Sequence, residues 1–340
     1  MYSTISFFSI KKKEDELARI NQKQIERFAA KVRSIDTSRA KLNFYSYHKD
    51  NQEVVESDKY PPLNAPGVIN FFFAVTMQNY GFWIGDIGGY VEPLVKEIDG
   101  KVLKGSDLLS VLSMKVYREK GPEFFDPQNL AKLSFLDFCA WFPENAGFQD
   151  LTIRHQMAVD YGKFMSRFTD SPVESLVSFA NSQKRPLSFF LRQTKNLPGY
   201  DKDELAKKNL LLAMILSNRP ERFLRVNSEE KWNPIVDYHL MRVALRLGLV
   251  DLYPAEDRLI ASRGYVMPSV EKAIRQKVFD AVGRVIDLSG KPMSEIDFLM
   301  WSARRYCPEM TKPNCSKCVL SEVCPKKDWL FQPVFRTTNY

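Results

Sequence analysis

A mainly α chain with a small β element is what this sequence predicts, and three observations predict it. From residue 106 onward, apolar residues recur at the three-and-four spacing of one helix face. Helix start signals (Ser, Asp or Pro just before such a stretch) punctuate the same region. Asp99-Gly100, set between two short extended runs, is a hairpin signal.

In chain order, residues 10–40 are charged, with Leu17, Ile20, Ile25, Phe28 and Val32 spaced as on an amphipathic helix. Asp58 to Pro66 is a proline-rich entry loop. Val68 to Trp83 is too apolar for a solvated surface and reads as a buried helix or a strand. Gly85 to Gly89 is a turn, followed by extended pieces at Tyr90–Val95 and Glu97–Leu103. Helices are expected from Ser106, over Pro127–Phe138 with Asp126 as cap, and over Arg154–Arg167, Pro172–Asn181, Pro186–Leu191 and Asp203–Ser217. Further ones follow in Trp232–Gly248, Pro268–Leu288 and Ser294–Tyr306. Neither a solenoid repeat nor a low-complexity linker interrupts them.

With 340 residues the chain can bury a full core, as one large domain or two smaller ones. The division expected is an N-terminal region 1–105, a helical domain 106–306 and a loop and tail 307–340. No apolar run approaches the roughly 20 residues of a membrane span, and Lys11-Lys12-Lys13 follows no signal-peptide core, so a cytoplasmic protein is expected. A net charge of +8 fits a polyanion or a phosphorylated ligand. Four of the five cysteines cluster near the C-terminus, unlike a secreted disulfide framework. Cys139 lies apart among aromatic residues and reads as a small core residue.

Two stretches carry chemistry. In Trp232–Gly248, Asn233 reads as a cap and Pro234 as a first helical position, with Val236, Leu240, Val243, Ala244 and Leu247 forming one apolar stripe. Asp237 then falls in or just before the first turn, where free N–H groups favour an ionised carboxylate. Such an anion can face a developing positive charge or take a proton from water, and it can equally be a simple cap. Cys307, Cys315, Cys318 and Cys324, spaced C-x7-C-x2-C-x5-C, suit either zinc or an iron–sulfur cluster.

The run Val236-Asp237-Tyr-His239-Leu-Met-Arg242-Val resembles the Val-Asp-x-His-x-x-Arg-Val segment of endonuclease III-type DNA glycosylases. The cysteine stretch from Trp301 to Pro325 resembles the iron–sulfur loop that closes those enzymes, with a first gap one residue longer. The resemblance implies a helix-hairpin-helix glycosylase-like fold with Asp237 as the catalytic carboxylate. It also implies a structural 4Fe-4S cluster on the four cysteines, with zinc as the second choice. Leu197-Pro-Gly199 is similar to their DNA-clamping Leu-Pro-Gly-x-Gly hairpin, but Asp201 replaces the second glycine and Asp203 occupies the position of the Schiff-base lysine. Acids there repel a phosphate, and Lys202, Lys207 and Lys208 nearby read as solvated charges.

A second resemblance covers more of the chain, roughly residues 60–306. Gln78-Asn79-Tyr80-Gly81-Phe82-Trp83, Leu197-Pro-Gly-Tyr200, Val236-Asp237-Tyr238-His239 and Ile296-Asp297-Phe-Leu-Met-Trp301 are similar, in order, to segments of queuosine-salvage N-glycosidases. That resemblance implies that Asn79, Phe82 and Trp83 shape a base pocket, that Asp297 approaches the sugar or base, and that Arg275 meets a phosphate. Tyr238 and His239 are further substrate-binding candidates beside Asp237, with His239 departing from that family's Arg and agreeing with the glycosylases. The expected activity is hydrolysis of the N-glycosidic bond of a modified nucleoside or its 5′-phosphate. The alternatives are a monofunctional iron–sulfur DNA glycosylase acting in base excision repair and a non-catalytic nucleic-acid-binding relative.

Overall fold

The computed structural model of the chain describes residues 17–36, 42–48, 54–168 and 170–340. Strand β1 (Ala18–Ile20) leads into α1 (Gln22–Ser34), whose cap Asn21 accepts the Gln24 N–H at 3.1 Å. Leu17 and Ile20, expected inside this helix, precede it because Asn21 starts the helix later; the expected residues 10–16 and 37–40 lie outside the described ones. Short strands β2 (Ser46–His48) and β3 (Val54–Glu56) pair antiparallel. The apolar run resolves into a helix, α2 (Val68–Met77), with nine of its ten residues buried, and β4 (Trp83–Gly85) and β5 (Tyr90–Pro93) follow.

The hairpin sits where its turn signal places it. Strands β6 (Val95–Ile98) and β7 (Lys101–Lys104) pair with Ile98 opposite Lys101. Asp99 and Gly100 between them have φ of 50° and 75°, the geometry of a type I′ turn.

After α3 (Ser106–Lys120), the single helix expected over Pro127–Phe138 is two, α4 (Pro127–Leu130) and α5 (Phe135–Trp141). Ser134 makes the break: its hydroxyl accepts the Asp137 N–H at 3.1 Å and starts a new helix. Asp126 gives its carboxylate to Asn70 Nδ2 at 2.7 Å and makes no capping bond. Then come α6 (Leu151–Met165), α7 (Pro172–Asn181), α8 (Pro186–Thr194), α9 (Lys207–Asn218), α10 (Tyr238–Arg246) and β8 (Val250–Leu252). The last helices are α11 (Pro254–Ala261), which the sequence reading missed, α12 (Pro268–Ser289) and α13 (Met293–Ala303). Proline opens α7, α8, α11 and α12, where its missing N–H costs nothing. The chain is thus mainly helical, with only short strand pairs.

Contacts divide the chain into two compact units. One comprises Gly85–Glu92, Trp232–Arg336 and the described part of Met1–Lys41. In it α12 packs along α1, β1 pairs with β8 (Ile20 opposite Val250), and α10 lies against both α12 and α13. The other comprises Pro93–Lys231, Thr337–Tyr340 and the described part of Leu42–Ile84. Its centre is α2, flanked by α9 and α7, with the Phe71 ring edge-on to those of Phe72, Tyr117 and Phe125. No helix among the described residues is long and apolar enough to cross a membrane.

Candidate functional site

Asp237, not Asn233, caps α10. Its backbone is extended (φ −110°, ψ −175°) and its Oδ1 accepts the Leu240 N–H at 2.9 Å. Pro234 is buried in the approach to the helix and opens no turn of it, because the cap bond fixes the start at Tyr238. The Asp237 side chain is half-buried, and Oδ2 makes no hydrogen bond among the described residues. The helix N-terminus therefore holds the carboxyl group by one oxygen and leaves the other available.

The surroundings of that carboxylate are rigid. Arg275 on α12, 5 % exposed, donates from Nε and Nη2 to the Val236 carbonyl at 3.2 and 3.0 Å, fixing the peptide just before the cap. Tyr238 is buried, and desolvation, followed by the negative charges of Glu309 and Asp237, pushes its phenol well above the ordinary range. His239 is buried beside it, with ring centroids 4.2 Å apart. Arg242 Nη2 lies 2.9 Å from His239 Nδ1. A guanidinium can only donate, so Nδ1 is the acceptor in this contact. Asp297 is half-buried on α13.

The far end of α10 meets the cysteine loop. Arg242 Nη1 donates to Glu309 Oε1 at 3.2 Å and to Gln332 Oε1 at 2.8 Å, all three side chains buried. Arg246 Nε reaches the Leu330 carbonyl at 2.8 Å, while Nη1 reaches the Pro308 carbonyl at 2.9 Å and Cys307 Sγ at 3.1 Å. The Lys326 N–H points at Cys324 Sγ at 3.3 Å. Burial raises the Cys318 and Cys324 thiols, and the charges of the neighbouring cysteines raise them further; Cys324 senses all three others. Each of the four cysteines is half-buried. Among the described residues, no three or more His, Cys, Asp or Glu side chains are placed to hold a metal ion. What fits a thiolate-bound metal is the donor type alone: four cysteines on one segment, with N–H groups directed at two of the sulfurs.

The base-pocket candidates belong to the other unit. Phe82 is buried against Phe148, 6.4 Å between ring centroids, and is packed as core; Trp83 is half-buried. Asn79 is half-buried, and its Oδ1 accepts from Lys207 Nζ at 2.5 Å. Lys207 and Lys208, expected in solvent, are 3 and 2 % exposed. They are drawn inward by the carbonyls that α2 leaves open at its C-terminal end. Lys208 Nζ takes the Met77 carbonyl at 2.6 Å and Lys207 Nζ that of Asn79 at 3.1 Å. Fully buried Arg154 takes those of Gln78 and Tyr80 at 2.8 and 2.6 Å, its guanidinium 3.9 Å from the Tyr80 ring centre. Desolvation lowers Arg154 to about 10 and raises Tyr80 to about 12. Asp203 also turns inward: Oδ2 accepts the Lys207 N–H at 2.7 Å and starts α9. Asp201 alone stays outward, 3.1 Å from Lys202.

The sequence reading passed over Arg242, Arg246, Arg154 and Glu309 as parts of the design. One signal was present: His239, Arg242 and Arg246 follow one another at helical spacing on α10 and so share a face. No family model matches the chain, and no curated protein matches it significantly.

Proposed function

We propose that the chain hydrolyses the N-glycosidic bond of a modified nucleoside or its 5′-phosphate, as the queuosine-salvage N-glycosidases do, with Asp237 as the reacting carboxylate. The observation that carries this reading is the Asp237 side chain itself, anchored through Oδ1 to the Leu240 N–H with Oδ2 uncommitted. A carboxylate so held is fixed in orientation. It can stabilise an oxocarbenium-like sugar, or orient the attacking water, without reorganising. In this proposal Asn79 and Trp83 are the candidates to serve the base, Phe82 being packed as core. Tyr238, His239 and Arg275 hold the helix entrance, and Asp297 is the further polar group toward the sugar. Cys307, Cys315, Cys318 and Cys324 would hold a 4Fe-4S cluster that secures the C-terminal segment and takes no part in bond cleavage, with zinc as the second occupant.

The helix–turn–helix formed by α8, the Leu197-Pro-Gly199 turn and α9 supports a relationship to the helix-hairpin-helix glycosylases. The outward carboxylate of Asp201 on that turn argues for a small substrate over a DNA backbone. A second reading, a monofunctional DNA glycosylase in base excision repair, draws on the +8 charge and the cysteine loop. A non-catalytic nucleic-acid binder is the third.

One experiment separates them. The pure protein is incubated with queuosine 5′-phosphate and, separately, with damaged duplex DNA, and free base is sought by mass spectrometry. Base release from the nucleotide alone is the expected result. Asp237→Asn should lower that release by at least about a hundredfold. It should leave stability within about 0.5 kcal/mol, because asparagine caps a helix as well as aspartate. Undiminished release by the variant would remove Asp237 from the reaction.

A further inference from the structure

A cavity of about 370 Å³ in the unit built around α2 lies outside everything proposed above, between the loop after β3 and the helix α3. Tyr45, Tyr60, Tyr117 and Met114 supply its apolar lining, and Asp58 and Arg118 its charges. The volume is that of a small-molecule site. Two of the rings are fixed in advance. Tyr60 packs edge-on against Phe44 with centroids 5.7 Å apart. Tyr117 packs edge-on against Phe71 at the same separation and donates its hydroxyl to the Pro66 carbonyl.

The charges select the ligand. Asp58 is bound by Lys101, whose hydrogen bond is the first cause holding its carboxyl below the usual range. Lys59 pairs with Asp107 at 3.1 Å. Arg118 remains. It spends one Nη2 N–H on the Asp58 carbonyl at 3.1 Å, and its other N–H groups have no partner among the described residues. The cavity thus presents aromatic walls and one guanidinium with N–H groups to spare, whose only acidic neighbour in the lining, Asp58, is already bound by Lys101. A planar ring bearing one negative charge complements it, since a carboxylate matches the guanidinium fork. A dianion such as a phosphate monoester is matched less well: Arg118 offers one positive charge, and the second negative charge would be left without a partner near the Asp58 carboxylate.

We propose that this cavity binds a planar aromatic monocarboxylate, with the ring among the three tyrosines and the carboxylate on Arg118. The test is calorimetric titration of the full chain with indole-3-acetate, alongside indole-3-ethanol (no charge), L-tryptophan (an added ammonium) and phenyl phosphate (a dianion). The expected result is binding of indole-3-acetate ahead of the other three, weakened about tenfold or more by Arg118→Met. Arg118 is exposed, so the variant should melt with the wild type. Tyr60→Ala should weaken the same ligand independently. Equal binding of the alcohol, or an unchanged affinity in Arg118→Met, would reduce the cavity to apolar adsorption and overturn the proposal. So would tighter binding of L-tryptophan or phenyl phosphate, or no binding of any probe.

Discussion

Lys208 holds its ammonium where water cannot reach it, with the Met77 and Gly199 carbonyls at 2.6 and 3.2 Å and the Tyr80 ring centre 4.6 Å away. Desolvation, then the like charges of Lys207 and Arg154, drive its pKa well below 10.5. In that pH interval the unfolded chain keeps a proton that the folded chain has released. Stability on this account therefore rises with pH, from the depressed folded value up to the unfolded one near 10.5. Lys208→Met removes the titration and should abolish that rise. Urea denaturation at a series of pH values, wild type against variant, checks it: the stability difference should change steadily in favour of the wild type as pH increases. A difference flat from pH 7 to 10 would mean that Lys208 titrates normally. None of this was legible beforehand, since two adjacent lysines ahead of an apolar run read as surface. Their partners are backbone carbonyls, those of Met77 and Asn79 at and just past the end of α2 and that of Gly199 in the nearby turn, and a carbonyl leaves no mark in a sequence.

Turns and caps were the legible part at the level of elements, because each is decided by two or three adjacent residues. The Asp99-Gly100 hairpin and the proline starts of α7 and α8 follow from their own residues. The β1–β8 pair was not foreseeable, since three-residue strands from distant parts of the chain carry too little pattern to mark them. Asn233-Pro234 was a decoy: a good start signal loses to a cap bond made four residues later by Asp237. Gly199 and Gly100 put the turn argument to a quantitative test. Both have φ in the left-handed region, 85° and 75°. A methyl group at Gly199 would lie 2.5 Å from Met77 Cγ, whereas at Gly100 it would meet nothing within 4 Å. Gly100→Ala should therefore cost only the backbone strain, about 1–2 kcal/mol, and Gly199→Ala roughly 2–4 kcal/mol. Equal losses in chemical denaturation would show that the packing between Gly199 and Met77 yields freely.

Over the unit that carries α10, the segment after Cys307 is clasped from two sides. Arg242 and Arg246 hold it from α10 through Glu309, Pro308, Leu330 and Gln332. From α1, Gln24 Nε2 donates to the Leu247 and Val323 carbonyls at 2.8 and 2.6 Å, and Lys31 pairs with Glu322 at 2.6 Å. The four-cysteine spacing was plain in the sequence, but these arginine contacts arise only once the loop folds back on a helix some sixty residues earlier. With few regular elements of its own, the loop depends on such contacts, to which its thiols would add any metal they bound. If they carry the proposed cluster, anaerobically purified protein should contain iron and inorganic sulfide and absorb near 400 nm. Bleaching the cluster with oxidant should then expose the backbone between Cys307 and Gln332 to protease, while α2 and its neighbours stay protected. Arg246→Gln should hasten the bleaching, because it withdraws a donor from Cys307 Sγ. Stoichiometric zinc in place of iron would give the quartet to its second occupant, and a cleavage pattern indifferent to bleaching would return it to a purely packing role.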